Sequence, residues 1–316
     1  MNKPLPLIVL FILSLLLASV GQAITVIDST GTHTFSQSPK RVVTLSWAIT
    51  ENLLELGVTP LAIADVSAYR QWVVQPELPE TVIDLGTRLE PNFERILSLK
   101  PDIILVEDDQ ASLVPTLRMI APVLSFSTYR KDHDNYQAAE NTFLQLAALF
   151  QKESLAQQKL RGLEQLLEKK AALLKAHFSH FSHFSHFKST NGSSLPKVAA
   201  IRFTNASLLW VYGDNSMPQY ALKKLGMLPA LPQKASKWGV TQKKVIELGK
   251  INDGIVLYFE PSGPIGELFT SPLWQAMPFV KKNHYEAVAP VWSNGGPMSI
   301  GYIAEAITTA LLKIEP

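Results

Sequence analysis

Five places in the chain carry side chains that could do chemistry on a ligand. They are Trp47, then Tyr69-Arg70-Gln71-Trp72, then Gly86-Thr87-Arg88 with Glu90-Pro91-Asn92, then Lys237-Trp238-Gly239, and last Val291-Trp292-Ser293-Asn294. Trp and Tyr offer flat apolar faces with one polar handle each. Arg70 and Arg88 offer planar forks that suit oxygens carrying partial or full negative charge. This is the chemistry of holding a molecule. For making or breaking bonds the sequence offers little: it has no glycine-rich phosphate loop, no nucleophile elbow and no Cys. The carboxylates Asp65, Asp84, Asp108 and Asp109 fall at predicted strand ends, where a hydrolase could set a pair. They serve equally well as caps and turn formers. The reading is a binding protein and not an enzyme, with no catalytic residue and no resident cofactor.

A second candidate stands apart. Residues 177–187 repeat His-Phe-Ser at a strict period of three, placing His177, His180, His183 and His186 in register. Imidazoles spaced i, i+3 on a helix can share a metal ion. A tandem duplication ahead of the polar linker 188–194 gives the same pattern without any ligand. The repeat is therefore read as no metal site, with a metal-ion buffer kept as an alternative function.

The elements that position these residues alternate between strand and helix. Arg41 to Leu45, Leu61 to Asp65, Val82 to Asp84, Asp102 to Val106 and Val123 to Phe126 read as strands, with helices at Ser46 to Leu56, Phe93 to Leu99 and Leu113 to Ile120. Such alternation implies a parallel sheet. After residue 196 the same grammar returns, with strands at Val198–Phe203 and Leu208–Val211. Two echoes link the halves. Leu56-Gly57 and Leu225-Gly226 are each followed by a proline three residues after the glycine, a helix stop in both cases. Phe93 to Val106 and Val245 to Tyr258 each read as helix, polar turn and apolar strand.

Between the halves, Gln137 to Lys175 contains no proline and spaces its apolar residues helically. A continuous helix there would span roughly 55–60 Å. The predicted fold is α/β, with two Rossmann-like lobes of parallel sheet joined by one long α-helix. The lobes span 24–136 and 196–316, the helix 137–176, and the repeat with its linker 177–195. Loops at the carboxyl ends of the strands would face one another across a cleft. A single stiff helix between lobes permits only small closure.

The chain has 316 residues, 47% of them hydrophobic, enough for two cores. A formal net charge of +2 implies no single basic face, which argues against nucleic acid as a partner. Residues 1–23 read as a signal peptide: a short basic start, an apolar run from Leu5 to Ala18 and small residues around Ala23. No Cys follows for lipid attachment. The mature chain is expected as a monomer in the periplasm.

Several segments give the chain a family likeness. They are residues 39–47, Ala64-Asp65 with 69–72, 82–92, 100–104, Trp238-Gly239, 271–280 and 290–292. Through them it resembles the periplasmic siderophore-binding proteins of ABC importers, especially those for iron–hydroxamates such as ferrichrome. The stretches 82–92 and 271–280 are the most specific. The resemblance implies two α/β lobes on one long helix, an iron(III)–siderophore ligand in a shallow cleft, and delivery to an inner-membrane ABC permease with its ATPase. It implies Arg88 on the chelate oxygens and Trp72, Trp238 and Trp292 as an aromatic wall; the strand-end loops add Arg70, Tyr69, Trp47 and Asn294 as candidates beside them, Asn294 standing where the family has an aromatic. Glu94 would dock on the permease, while the matching place in the second lobe lies near Lys243. The family's cleft tyrosine after the 102–106 strand is absent, since that loop reads Glu107-Asp108-Asp109-Gln110. An acidic loop repels a trianionic catecholate complex and tolerates a neutral or cationic hydroxamate. Haem, cobalamin and a carboxylate siderophore remain alternative ligands.

Overall fold

Runs of buried β-branched and leucine residues build the first lobe. In the computed structural model, which describes residues 23–132, 134–179 and 195–315, strands β3 (Val42–Thr44) and β6 (Ile103–Glu107) are buried along almost their whole length. That is the pattern of strands covered on both faces by helices. A hairpin of β1 (Ile24–Asp28) and β2 (Gly31–Phe35) precedes them. With β4 (Ala62–Ile63), β5 (Ile83–Asp84) and β7 (Val123–Phe126) they form one parallel sheet in the order β5-β4-β3-β6-β7. Helices α1 (Trp47–Glu55), α2 (Val66–Trp72), α3 (Phe93–Ser98) and α4 (Val114–Leu117) make the crossovers. Ser46 starts α1 by accepting from the Ile49 amide, and Asn92 starts α3 by accepting from Arg95.

The connection between the lobes is two helices rather than one. α5 (Asn135–Leu149) packs on the hairpin and first lobe, and α6 (Glu153–Ser179), about 40 Å long, runs to the second. The break lies at Gln151, whose φ of 54° is left-handed. Its cause is a change of surface. α5 buries Ala139, Phe143, Leu146 and Ala147, whereas α6 turns Leu163, Leu167, Leu174 and Phe178 towards the other lobe. Gly162 sits inside α6 without interrupting it, so the chain breaks where packing requires it and not at the weakest helix former. A non-glycine residue in left-handed backbone carries roughly 1–2 kcal/mol of strain. Gln151→Gly is therefore expected to stabilise the protein by up to about 1 kcal/mol. A thermal melt should move up by roughly 2–4 °C.

The second lobe departs from the all-parallel expectation. Its strands β8 (Val198–Phe203), β9 (Leu208–Tyr212), β10 (Val240–Lys244), β11 (Ile255–Phe259) and β12 (Tyr285–Val288) lie in the order β10-β9-β8-β11-β12. β8, β11 and β12 are parallel, but β9 and β10 run antiparallel to their neighbours. The reason is the short link between β8 and β9: four residues can turn a hairpin and cannot carry a crossover helix. Helices α7 (Met217–Lys224), α8 (Pro272–Gln275), α9 (Pro278–Lys281) and α10 (Ser299–Leu311) complete the lobe.

One hydrophobic core crosses the junction. Ile49 and Leu53 of α1, Leu163 and Leu167 of α6, and Ile300 and Ile303 of α10 belong to the same buried cluster. Beside it lies a polar seam. Ser299 Oγ is 2.6 Å from each oxygen of the fully buried Glu51 carboxyl, whose pKa burial raises well above the usual carboxylate range. Next to it Glu55 accepts from Lys159 Nζ at 2.6 Å and from the Tyr302 hydroxyl. Gly295 and Gly296 pass directly over Glu51 and Asn52.

Candidate binding cleft

Loops after the strands of both lobes enclose a cavity of ≈ 300 Å³. Its first-lobe wall begins with Trp47, the first residue of α1, whose Nε1 donates to the Ala64 carbonyl at 3.1 Å and so fixes the ring. The Arg88 guanidinium carbon lies 4.1 Å from the centre of the Trp47 ring and 6.0 Å from that of Trp292. The two rings meet edge to face at 5.0 Å. Arg88 is therefore braced by aromatic faces, which hold a guanidinium without consuming its N–H groups. No acceptor among the described residues takes a hydrogen bond from it at ordinary geometry.

Arg202 is the opposite case. It sits on β8, is 4% exposed, and donates to Tyr212 Oη at 3.1 Å and to the carbonyls of Glu260 and Pro261 at 3.1 and 3.2 Å. Its guanidinium lies 5.4 Å from the centre of the Trp72 ring and so sets one face of the cavity. Across the mouth, Trp238 stacks on buried Tyr129 at 6.2 Å, and the Tyr129 hydroxyl donates to the Gly295 carbonyl. Lys237 Nζ stands 4.9 Å from the centre of the Trp238 ring and 3.7 Å from Asp109 of the other lobe.

Among the described residues lining the cavity, Trp292 Nε1 is buried without a hydrogen bond, whereas the Glu107 carboxyl is bonded by the Ser46 and Thr128 side chains. Burial pushes the Glu107 carboxyl up to about 7, against the pull of the Ser46 and Thr128 hydrogen bonds, and the neighbouring Asp109 and Asp108 add to the rise. Between 4.5, the ordinary value, and about 7, the folded chain binds the proton more tightly than the unfolded one. Folding stability on this account falls as pH rises through that window, by at most about 3 kcal/mol. Glu107→Gln keeps an acceptor for Ser46 and removes the titration. Urea unfolding should show the variant gaining on the parent between pH 5 and pH 8.

The fold recurs in proteins of known structure. The periplasmic binding protein family matches residues 42–177. The structure of the siderophore-binding protein FhuD from Vibrio cholerae, bound to Fe3+-Desferal, is 43% identical with a TM-score of 0.82, over 88% of this chain and 99% of that one. The chain belongs to the periplasmic siderophore-binding protein family. Iron(3+)-hydroxamate-binding protein FhuD of Escherichia coli is 29% identical over 281 residues, 88% of this chain and 89% of its own length. The Fe(3+)-citrate-binding protein YfmC of Bacillus subtilis is 27% identical over 84% of this chain and 78% of its own.

Within this periplasmic siderophore-binding protein, the cleft gathers Arg88, Trp47, Trp72, Trp238, Trp292 and Asn294 as the sequence predicts. Tyr69 and Arg70 are corrections. Their segment is not a loop but the helix α2, so its side chains point in different directions. Tyr69 is fully buried and donates to the Pro76 carbonyl at 3.1 Å, while Arg70 pairs with Glu80 at 3.1 Å outside the cavity. Only Trp72, at the end of α2, reaches the ligand space. Asp84 proves to be a turn former, accepting from the Val66 and Gly86 amides at 3.0 and 2.7 Å.

Sequence reasoning missed Trp210, Arg202, Tyr212 and Tyr129. Trp210 had a usable signal: it is 41% exposed between buried Leu209 and Val211 on β9, an aromatic on the open face of a strand. Tyr129 and Tyr212 enter the cavity from elsewhere in the chain, although no tyrosine follows β6. Of the histidine repeat, His177 is described, with Nε2 3.3 Å from the Ile314 carbonyl. His180, His183 and His186 lie outside the described residues. Among the described residues no group of three metal-ligating side chains occurs.

Proposed function

We propose that the protein is a periplasmic substrate-binding protein that captures an iron(III)–hydroxamate chelate in the inter-lobe cleft and delivers it to an inner-membrane ABC permease with its ATPase. The observation that carries this reading is Arg88, a cation with unused donors braced between Trp47 and Trp292. Three hydroxamates neutralise iron(III), so the complex presents polarised oxygens on an otherwise uncharged body. One fork and several aromatic faces suit such a ligand. A tris-catecholate carries about three negative charges and meets Glu107, Asp108 and Asp109 in the same cavity. The relatives named for iron–hydroxamate and Fe3+-Desferal support the same ligand class.

For docking, Glu94 stands exposed in the first turn of α3. On the second lobe Lys243 is paired with Glu247 at 3.6 Å, so the acid at that end is Glu247. These two would face the permease. No helix among the described residues is long and apolar enough to cross a membrane.

The test is tryptophan fluorescence of the mature chain, titrated with ferrichrome, a ferrioxamine, a ferric catecholate and haem. Saturable quenching by the hydroxamates is expected. Quenching by haem or the catecholate alone would overturn the ligand class.

A further inference from the structure

The two indoles that brace Arg88 are held very differently. Trp47 is pinned within the first lobe, since its Nε1 donates to the Ala64 carbonyl at 3.1 Å. Trp292 belongs to the second lobe, and its Nε1 is buried with no hydrogen bond among the described residues. Its place therefore depends on the backbone that carries it, the turn from Trp292 to Ser299 at the start of α10.

That backbone rests on one side chain of the other lobe. The Glu51 carboxyl accepts from the Gly296 and Ser299 amides, and Ser299 Oγ lies 2.6 Å from each of its oxygens. The peptide between Gly295 and Gly296 is gripped at both ends, because its carbonyl accepts from the Tyr129 hydroxyl while its N–H donates to Glu51. Glycine at both positions lets the turn lie directly on α1: a Cβ on Gly296 would be 1.8 Å from Asn52 Oδ1. Glu51 lies one helical turn after Trp47, so a single helix carries one indole and the anchor of the other. Among the described residues no cation pairs with Glu51, since Lys159 and the Tyr302 hydroxyl both go to Glu55. Burial, with the Glu55 charge adding to it, favours the neutral Glu51 carboxyl. Such a group carries a desolvation cost that an apolar side chain of the same size would not. What it supplies instead is direction: a satisfied set of hydrogen bonds admits one placement of the turn, where an apolar contact admits several.

Resting on the reading of Arg88 as the contact to the chelate, we propose that Glu51 is the positioning residue of the cleft. It sets Trp292 against Trp47 and, through the Gly295 carbonyl and Tyr129, backs Trp238. The Arg88 fork and its aromatic wall are thus in place before a ligand arrives. Glu51 does not line the cavity and touches no ligand. Its contribution is preorganisation, which is read as affinity because the ligand need not order the wall itself.

The experiment uses the mature chain with Glu51→Ala, Glu51→Gln and Ser299→Ala, each below its melting range. Ferrichrome affinity is read by tryptophan fluorescence. Without any ligand, circular dichroism reads the couplet of two indoles 5.0 Å apart, assigned by its loss in Trp292→Phe. Glu51→Gln, which resembles the neutral carboxyl in shape and hydrogen bonding, should keep both the couplet and the affinity. Glu51→Ala should lose the couplet and bind ferrichrome about tenfold more weakly. A folded Glu51→Ala that keeps the couplet, or loses it without losing affinity, would overturn the inference. So would a Glu51→Gln as impaired as Glu51→Ala. Where Glu51→Ala does not fold, Ser299→Ala decides: a weakened couplet supports the inference and an unchanged one overturns it. If the parent itself fails to bind ferrichrome, the hydroxamate reading falls, and the couplet alone still decides the role of Glu51.

Discussion

Arg88→Ala should weaken binding of ferrichrome by roughly 10- to 100-fold and leave the fold intact. The two halves of this expectation have separate grounds. A charge-assisted hydrogen bond contributes about 1.5–3 kcal/mol, which corresponds to about one to two powers of ten in Kd. The Arg88 fork makes no hydrogen bond of ordinary geometry to the described residues, so truncating it breaks no structural contact beyond its stacking on Trp47 and Trp292. Its absence should shift stability by less than about 1 kcal/mol. Arg88→Lys should recover part of the affinity and not all of it, because an ammonium offers a point charge where the chelate has oxygens set for a planar fork. A fluorescence titration paired with a thermal melt reads both quantities. Loss of binding together with a large fall in Tm would mean that Arg88 is structural, and the ligand assignment would lose its main support.

Gly295→Ala should be strongly destabilising. A Cβ at that position would lie 1.8 Å from Ser299 Oγ and 2.2 Å from Glu51 Oε2. Neither neighbour can move aside cheaply, because each is the other's hydrogen-bond partner at 2.6 Å inside the seam between the lobes. Forcing them apart adds overpacking, typically about 1–3 kcal/mol, to an unsatisfied buried carboxyl, about 1–3 kcal/mol more. The expected loss is therefore on the order of 2–6 kcal/mol, read as a lower urea midpoint. Binding should suffer as well, since the Gly295 carbonyl accepts from Tyr129, which backs Trp238. Gly57→Ala makes a useful contrast. It is at positive φ, 71°, unlike Gly295, but a Cβ there meets nothing within 4 Å, so its cost is backbone strain alone.

The sequence reveals the residues of the first-lobe wall because the signals there are local. Gly86-Thr87-Arg88 leads into Asn92, a helix cap, and a cation held between a turn and a helix start has few structural uses. Trp47 and Trp292 are legible in the same way, as aromatics just past strand-like runs. Arg202 and Tyr212 are not. They lie on neighbouring strands, β8 and β9, and become cavity residues only because those strands pair antiparallel, with Arg202 opposite Trp210. Pairing direction is decided by the length of the intervening turn, not by apolar periodicity. Tyr69 fails for the converse reason: an aromatic beside an arginine looks like a binding pair, but on α2 the two point to different sides. The break at Gln151 is likewise invisible to periodicity, which continues on either side of it. It reports which surfaces the two helices cover, and that is a property of the assembled fold.

The junction between the lobes is packed by α1, α6 and α10 and stitched by Glu51 and Ser299, so the empty and loaded carrier should share nearly one outline. For a shuttle of the kind proposed here, that removes the simplest way of announcing a cargo. A permease that distinguished full from empty by contour would find nothing to distinguish. It must sample the chelate itself through the open mouth, and empty carriers occupy its landing place as readily as full ones. Uptake should then slow when carriers greatly outnumber chelates, a traffic jam built into a rigid frame.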